Sequence, residues 1–331
     1  MRRSKIIGTG RFLPERVVSN FDLEKLMDTS DDWITERTGI RNRRFVEDGV
    51  GSSELGYKAA IKAIENADLS PKDIDFIIVA TIIPDYVFPG NGCLIGQMLG
   101  LPGVGALDIR NQCTGFIYAL SVADSFIQSG VYDNILVVGT EAHSVVLKMT
   151  TEWRDTAVLF GDGGGAVVLA SSEDDDKGIL STHLHADGTY AKDLWLEIPG
   201  SKQNPWLTKE MIDDERHHPK MNGNKVFKHA VRRFPEVIKE ALERNSLTVD
   251  DISLLIPHQS NLRITKAVAK RLGLGMEKIY SNIDRYGNTT AASIPIALDE
   301  AVEEGRVKDG DIVIFAAFGA GFTWASVAIR W

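Results

Sequence analysis

Three residues that could carry nucleophilic chemistry, Cys113, His258 and Asn288, each fall at a predicted junction between a strand and a helix. Cys113 lies between the strand-like segment Ala106–Arg110 and the helix-like segment Gly115–Asp124. Free amides and the dipole at a helix N-terminus stabilise a thiolate and lower a thiol pKa from its usual value of about 8.5. The position therefore predicts a nucleophile, although a free cysteine can equally be a small buried apolar residue.

His258 and Asn288 are the candidate partners of that thiol. His258 directly follows the apolar segment Leu254–Pro257, and ligand sites gather where buried strands of α/β sheets end. Asn288 lies in the glycine-containing turn that precedes a helix of small residues. Alone, each has a structural explanation, a satisfied histidine or an asparagine in a turn. Together with Cys113 they indicate covalent catalysis, and a cysteine hydrolase remains an alternative because proteases also use Cys, His and Asn.

Two glycine clusters could bind anions through bare backbone amides. The cluster Gly161–Gly165 precedes the predicted strand Ala166–Ala170 and lacks the Lys-Ser/Thr of a phosphate-binding loop, so a nucleotide-binding fold is not expected. The second cluster, Phe318–Phe322, follows an apolar strand and could offer an N–H group to an oxyanion.

A repeated pattern of helices and strands must position these residues. The helix-like segment Tyr57–Ala67 leads into an apolar strand, and Val231–Asn245 does the same. Ile252 lies 178 residues after Ile74 in this pattern, and near-constant offsets continue through the following elements. Short apolar strands of this kind suit sheets covered by helices on both faces. We therefore expect a duplicated α/β unit, with coincidence as the alternative, since helix-then-strand order is common.

The acidic stretch Ser171–Gly178 is predicted to be an exposed turn and to separate the two copies. This places one half at residues 1–172, with the nucleophile, and the other at residues 173–331, with His258 and Asn288. Equivalent loops of a duplicated unit meet around one pseudo-twofold centre, so a site there would take residues from both halves.

Composition limits the class of protein. The chain has 331 residues, 44% hydrophobic, with a formal net charge of −9 and two cysteines, which is typical of a globular protein and not of a disordered or disulfide-rich one. An acidic chain is a poor nucleic-acid binder. We expect a cytoplasmic protein without a signal segment or membrane insertion, and without a metal site. Cys93, inside a predicted helix, is expected to be a packing residue.

A cluster of cations stands out against this acidic background. Arg263, Lys266, Lys270 and Arg271 occur in a predicted helix without an intervening acid, and the first three share one face. Such a cluster is either a solvated helix face or a docking surface for an anionic partner.

Motifs along the whole chain resemble β-ketoacyl-acyl carrier protein synthase III, a condensing enzyme of the thiolase superfamily. This resemblance implies a thiolase-like α/β fold, in which two duplicated halves with pseudo-twofold symmetry form a layered α-β-α-β-α core. The motifs are Asp31–Ile34, Arg37–Ile40, Phe160–Gly163, Ser181–Gly188, Pro257–Ile264, Gly287–Ser293 and Phe318–Trp324.

The resemblance implies an acyltransferase in which Cys113 takes the acyl group of an acyl-CoA primer, by default acetyl-CoA. Malonyl-acyl carrier protein then loses CO₂ and condenses with the acyl group, which starts fatty acid synthesis. His258 and Asn288 would stabilise the enolate, and the backbone amides of Cys113 and Ala320 would bind the tetrahedral oxyanion. The alternative is a related enzyme that uses a longer primer, or transfers acyl groups, in specialised lipid or polyketide metabolism.

The resemblance also implies binding roles. Trp33 and Arg154 would enclose the CoA adenine, and Arg37 would bind its phosphates. Gly223 and Asn261 would contact the pantetheine, and no cofactor beyond the substrates is expected. The family is homodimeric, Phe88 matches a residue lent to the acyl pocket by the other subunit, and the basic helix that begins near Arg263 matches the docking patch for acyl carrier protein.

Three features depart from the family pattern. Polar residues surround Cys113 in the sequence Asn-Gln-Cys-Thr, and Ala320 stands where glycine is usual. The stretch of residues 192–219, which carries Trp195 and Trp206, is longer than expected and follows the region that borders the acyl and CoA channel. The length of the primer is therefore left open.

Overall fold

The computed structural model describes residues 2–172, 174 and 176–331. The thirteen strands that it assigns are β1 (Arg3–Phe12), β2 (Val17–Ser19), β3 (Asn42–Arg44), β4 (Phe76–Ala80), β5 (Gly105–Ile109), β6 (Asn134–Glu141), β7 (Gly163–Ser172), β8 (Gly178–Ala186), β9 (Leu194–Trp195), β10 (Lys220–Met221), β11 (Leu254–Pro257), β12 (Ile312–Gly319) and β13 (Thr323–Arg330). The helices are α1 (Asn20–Glu24), α2 (Asp31–Thr38), α3 (Ser52–Asn66), α4 (Asn91–Met98), α5 (Gly115–Gln128), α6 (Arg154–Ala157), α7 (Lys209–Asp213), α8 (Gly223–Arg244), α9 (Leu262–Leu272), α10 (Ile283–Tyr286) and α11 (Ser293–Glu303).

Two mixed sheets form the framework. The first has the order β1-β7-β6-β4-β5, with β4 parallel to both β5 and β6, and with β7 antiparallel to β6 and β1. The second has the order β8-β13-β12-β11, with β11 parallel to β12, and with β13 antiparallel to β12 and β8. A single parallel bridge between Leu255 and Ile279 stands where a fifth strand would follow β11.

The order and direction of the strands are thus the same in both sheets, as the duplicated α/β fold predicted from the sequence requires. The first sheet uses strands up to Ser172, and the second begins at Gly178. The predicted division between residues 172 and 173 adjoins Glu173, which lies outside the described residues. That division stays a prediction.

Helices and sheets alternate in five layers. α5 and α11 lie between the two sheets, in one apolar cluster that includes Phe116, Leu120, Leu298 and Phe315. α3 and α4 cover the outer face of the first sheet, and α8 and α9 cover the outer face of the second. Because α5 is covered on both sides, it is apolar nearly all round; its buried Asp124 accepts a hydrogen bond from Ser4 Oγ at 2.6 Å.

The glycine cluster at residues 161–165 has a packing function. The sequence predicted that it precedes a strand, but Gly163, Gly164 and Gly165 are themselves the first residues of β7. A Cβ on Gly164 would lie 2.4 Å from the carbonyl oxygen of Leu55 in α3. A Cβ on Gly165 would lie 2.7 Å from the backbone nitrogen of Ile296 in α11. Only glycine therefore allows helices to approach both faces of this strand so closely.

Cys93 does not pack in the core. It is exposed on α4, because that helix turns Asn91, Gly92, Ile95 and Gly96 inward and places Cys93 on its other side. The prediction of a packing residue was therefore wrong for the single protomer. Across the part of the chain that the structure describes, the helices are all too short or too polar to cross a membrane.

Candidate active site

The three residues singled out by their chemistry meet in one cavity of about 750 Å³. Cys113, His258 and Asn288 all contribute to its wall, so both halves of the chain supply the site. The wall also includes Trp33, Arg37, Phe160, Leu194, Met221, Gly223, Phe227, Asn261, Arg263, Phe318 and Gly319.

Cys113 lies in a single helical turn, Gln112–Thr114, which runs directly into α5. The turn begins with Gln112 in the left-handed region, at a φ of 47°. The Cys113 side chain packs against the end of β12. A Cβ on Gly319 would lie 2.7 Å from Cys113 Cβ and 3.1 Å from Cys113 Sγ. The glycine thus lets the backbone at the end of β12 come against the thiol.

The electrostatics of Cys113 differ from the sequence prediction. Burial raises the pKa of the thiol to about 12, and the nearby carboxyl of Glu141 acts in the same direction. The backbone amides of Ala320 and Cys113 contact the sulfur and oppose this rise. The expected lowering at the helix N-terminus is therefore wrong for the free protein, since loss of water outweighs the amides. The same two amides are the pair predicted to bind the oxyanion.

His258 is held as a neutral hydrogen-bond donor. Its backbone N–H donates to Ala316 O at 2.8 Å, and burial lowers the pKa of the imidazole to about 3. Nδ1 lies 2.7 Å from Ser293 Oγ, which also accepts the backbone N–H of Gln259 at 3.3 Å. The Ser293 proton is then directed to Nδ1, so the imidazole proton is assigned to Nε2. Nε2 has no partner among the described residues.

Asn288 is oriented by its own backbone and by the following turn. Gly287, at a φ of 65°, reverses the chain after α10. Asn288 N donates to Leu159 O at 2.8 Å, and Asn288 Oδ1 accepts the backbone N–H of Thr290 at 2.9 Å. Because the amide oxygen is used in this way, the Nδ2 donor is left for the cavity.

The residues expected at the CoA adenine and phosphates lie together, although Arg154 is not part of the cavity wall. Trp33 and Arg37 both line the cavity, and the Arg37 guanidinium lies 4.7 Å from the centre of the Trp33 ring. The Arg154 guanidinium lies 4.8 Å from the same ring and donates to Asp28 O at 2.7 Å. An adenine entering between Trp33 and Arg154 would have to displace that guanidinium.

The residues expected at the pantetheine begin two helices. Gly223 is the first residue of α8, and Asn261 caps α9 by accepting the backbone N–H of Arg263 at 2.8 Å. Asn261 Nδ2 also donates to Arg37 O at 3.0 Å, which joins this wall to α2. Both residues line the cavity.

The cations of α9 form an exposed surface next to the same cavity. Arg263, Lys266, Lys270 and Arg271 are all exposed, while Ile264, Val268 and Leu272 face the core. Arg263 also lines the cavity, at 5.7 Å from the Phe227 ring. The predicted basic face is therefore present, and it borders the cavity opening.

The long segment at residues 192–219 borders the cavity as well. It includes β9, which pairs with β10, and Leu194 and Met221 from these strands line the cavity. An ion pair between Lys148 and Glu215, and a hydrogen bond of 2.9 Å from Trp153 Nε1 to Glu215, fix the segment to the first half.

Phe88 lies in an exposed loop away from the cavity. Its side chain is 82% exposed, and it does not line the cavity of this protomer. Tyr86 and Val87 beside it are also exposed. A role for Phe88 in an acyl pocket therefore depends on a second copy of the chain.

Sequence reasoning missed three contributors to the site. Ser293 was part of a recognised motif, but only the fold shows that its hydroxyl contacts His258. Phe160 also belongs to a recognised motif, but only the fold shows that it lines the cavity, and Phe227 lines it from α8. Within the described residues no cluster of metal-ligating side chains occurs.

The family model for 3-oxoacyl-[acyl-carrier-protein] synthase III matches residues 107–188, and the model for its C-terminal part matches residues 242–331. The chain is 47% identical over 328 residues to a β-ketoacyl-[acyl-carrier-protein] synthase III of Caldanaerobacter subterraneus, covering 98% of this chain and 97% of the relative.

Solved structures agree with these matches. The 3-oxoacyl-[acyl-carrier-protein] synthase III of Aquifex aeolicus is 45% identical, with a TM-score of 0.91 over 99% of this chain and 100% of that one. The priming β-ketosynthase of the R1128 polyketide pathway is 33% identical, with a TM-score of 0.90 over 99% and 96% of the two chains. The protein thus belongs to the β-ketoacyl-[acyl-carrier-protein] synthase III family.

Proposed function

We propose that the protein catalyses the decarboxylative condensation of an acyl-CoA primer with malonyl-acyl carrier protein, in the cytoplasm, as the first condensation of fatty acid synthesis. One observation carries the proposal: a thiol contacted by two backbone amides shares a cavity with Asn288 and with His258, whose Nε2 has no partner among the described residues. Acetyl-CoA is the proposed primer of reference. The polyketide-priming relative supports, as the second candidate, a role with other primers in specialised metabolism.

The first half-reaction is acyl transfer to Cys113. The sulfur attacks the thioester carbonyl, and the amides of Cys113 and Ala320 stabilise the oxyanion that forms. The intermediate then expels CoA, whose sulfur ends with the proton that the thiol loses. Because the thiol pKa is raised to about 12 in the free protein, little thiolate exists before the acyl-CoA binds.

The second half-reaction uses two neutral side-chain donors. When malonyl-acyl carrier protein loses CO₂, its thioester oxygen gains enolate charge, and His258 Nε2–H and Asn288 Nδ2–H would donate to it; the contacts of Ser293 with Nδ1 and of Thr290 with Oδ1 support this. The enolate carbon attacks the acyl-Cys113 carbonyl, and collapse of the intermediate releases the β-ketoacyl product and the Cys113 sulfur, which regains a proton. A desolvated cavity strengthens each of these hydrogen bonds.

We also propose that two copies associate through the edge of the first sheet. β5 is the edge strand, and Ala106, Leu107 and Asp108 in it are exposed. Two further exposed residues, Phe88 and Cys93, lie in the loop and helix that precede β5 in the chain. Unpaired edges with exposed apolar residues are normally covered, and a second β5 related by a twofold axis would cover this one.

The proposed reaction predicts a covalent intermediate on one residue. Incubation with acetyl-CoA should increase the intact mass of the protein by one acetyl group, and Cys113→Ser should abolish the increase because it removes the thiol. The acylated protein should then release CO₂ from labelled malonyl-acyl carrier protein and form the β-ketoacyl product. Net hydrolysis of acyl-CoA without CO₂ release would instead support a hydrolase.

Ser293→Ala should impair decarboxylation more than acyl transfer. Loss of the Ser293 hydroxyl removes the group that keeps the His258 proton on Nε2, so CO₂ release should fall about 10- to 100-fold, less than the roughly 10²- to 10³-fold loss on removal of an oxyanion donor itself. Acetylation of Cys113, measured by mass, should change little. Ser326→Ala is the matched control, since Ser326 is equally buried and donates to Val237 O, away from the site. Equal losses in both half-reactions would contradict this assignment.

The basic face of α9 should govern use of the carrier protein. Lys266→Glu combined with Lys270→Glu should raise the KM for malonyl-acyl carrier protein about tenfold or more at low salt, because like charges then oppose an acidic partner. The rate of Cys113 acetylation should be unchanged. Lys72→Glu reverses an exposed cation outside α9 and should have little effect. An unchanged KM in the double variant would identify α9 as a solvated face.

The proposed dimer predicts a change of mass on disruption of β5. Leu107→Asp places a charge at the centre of the exposed edge and should convert dimers to monomers in analytical ultracentrifugation. Val131→Asp changes another exposed apolar residue, outside this edge, and should leave the dimer intact. A wild-type chain that sediments as a monomer at micromolar concentration would refute the proposed interface.

A further inference from the structure

A histidine outside the catalytic set lies directly behind the cavity wall. His143 follows β6 and is only 4% exposed. Its ring stacks on Phe160, with the ring centres 4.0 Å apart and the planes at 11°. Phe160 lines the cavity, and its backbone forms a bridge with Asn288. The Phe160 ring therefore lies between the imidazole and the cavity.

The hydrogen bonding of His143 is incomplete. Nδ1 has a single long contact, 3.4 Å to Thr290 Oγ1, and Nε2 has no partner among the described residues. A buried polar group left unpaired costs about 1–3 kcal/mol. Burial also lowers the pKa of His143 to about 3, so the ring is neutral. A bound ligand that hydrogen-bonds to this neutral imidazole would explain why Nε2 has no partner among the described residues.

The topology places His143 at the same end of the parallel strands of the first sheet as Cys113, which would carry the acyl group. β4, β5 and β6 are parallel neighbours, so their carboxyl ends, with Cys113 after β5 and His143 after β6, meet at one edge. The turn that begins at Thr290 packs against the turn that contains Cys113. An acyl chain on the sulfur thus extends among strand ends that carry polar groups.

The surrounding groups select a neutral polar ligand. Glu141 is fully buried two residues before His143 and accepts from Thr81 Oγ1 at 3.0 Å. Asp162, also buried, accepts the backbone N–H of Ser144 at 2.8 Å. Burial raises the pKa of Glu141 to about 8 and also raises that of Asp162, so this region already opposes negative charge and disfavours an anionic ligand. A hydroxyl group suits this place, because it can donate to or accept from Nε2 in either tautomer.

We propose that His143 is a specificity residue for the primer, and that the preferred acyl-CoA carries a hydroxyl group on its chain that hydrogen-bonds to Nε2. The inference rests on the proposed condensation and names its substrate class. Phe160 separates the imidazole from the cavity, so its ring turns aside when such a primer enters. An alkyl primer of equal length requires the same movement of the Phe160 ring but gains no hydrogen bond.

The test compares primers that differ by one hydroxyl. Butanoyl-CoA is paired with 4-hydroxybutanoyl-CoA, and hexanoyl-CoA with 6-hydroxyhexanoyl-CoA, with acetyl-CoA as the reference for the condensation itself. Acylation of Cys113 is followed by intact mass, and kcat/KM is measured with malonyl-acyl carrier protein. In at least one pair, the wild type should favour the hydroxylated primer by about tenfold or more, since sites built to bind a hydroxyl reject analogues that lack it.

Substitution of His143 should remove this preference selectively. His143→Leu should lower the ratio for the hydroxylated primer at least about tenfold and leave acetyl-CoA within about threefold, and His143→Gln, which keeps a donor and an acceptor, should retain part of the ratio. The control is His183→Leu, because His183 is a similarly buried histidine on β8 that contacts Ser181 and Glu240. It should keep the wild-type ratio.

The outcomes separate this inference from the proposed function. Equal ratios in wild type and His143→Leu, with acetyl-CoA condensation intact, would overturn the hydroxyl subsite alone. A wild type that prefers the alkyl member of both pairs would also overturn it, even if His143→Leu does not fold. Failure of the wild type to condense any primer, acetyl-CoA included, would overturn the proposed function.

Discussion

The approach of the Cys113 turn to the backbone at the end of β12 is the contact on which the site depends. It brings the end of the second sheet against the nucleophile of the first half, and it is possible only because Gly319 has no side chain there. The same approach brings the amide of Ala320 to the Cys113 sulfur. The packing and the chemistry therefore both require a residue without a side chain at Gly319.

Burial disfavours the charged forms of the catalytic groups, and it thereby sets the protonation states of the resting site. Loss of water raises the pKa of Cys113 and lowers that of His258, so the resting site contains a thiol and a neutral imidazole. A neutral imidazole that accepts from Ser293 at Nδ1 carries its proton on Nε2, where it can donate to an enolate. The amides around the thiol act late, when charge develops on sulfur or oxygen, because they cannot ionise the thiol in advance.

Much of this arrangement was predictable from the sequence, for identifiable reasons. Apolar strands such as Phe76–Ala80 and Leu254–Pro257 are marked by short runs that end in polar residues, and the structure places both at those bounds. Constant offsets between such runs predicted the duplicated fold, and the junction positions of Cys113, His258 and Asn288 predicted that they would meet.

The failures have equally physical causes. A helix pattern does not show which side of α4 meets a sheet, so Cys93 was placed inside. The sequence predicted a strand only from Ala166, after the glycines, because it does not show that α3 and α11 pack against Gly164 and Gly165. The pKa of Cys113 was misjudged since desolvation depends on tertiary burial, whereas the helix terminus is a local feature. The Ser293–His258 contact joins residues 35 positions apart, and spacing alone does not reveal it.

The duplication also explains why the two halves contribute different chemistry. Cys113 immediately precedes α5 and Asn288 shortly precedes α11, and these are the two central helices related by the repeated topology. His258 follows β11, whose counterpart β4 is followed by the loop that carries Phe88. The loop after β11 thus carries a buried donor, His258, in the cavity that contains Cys113. The corresponding loop after β4 is exposed and apolar. A single unit could not do both, because the donor must be desolvated while the other loop is exposed.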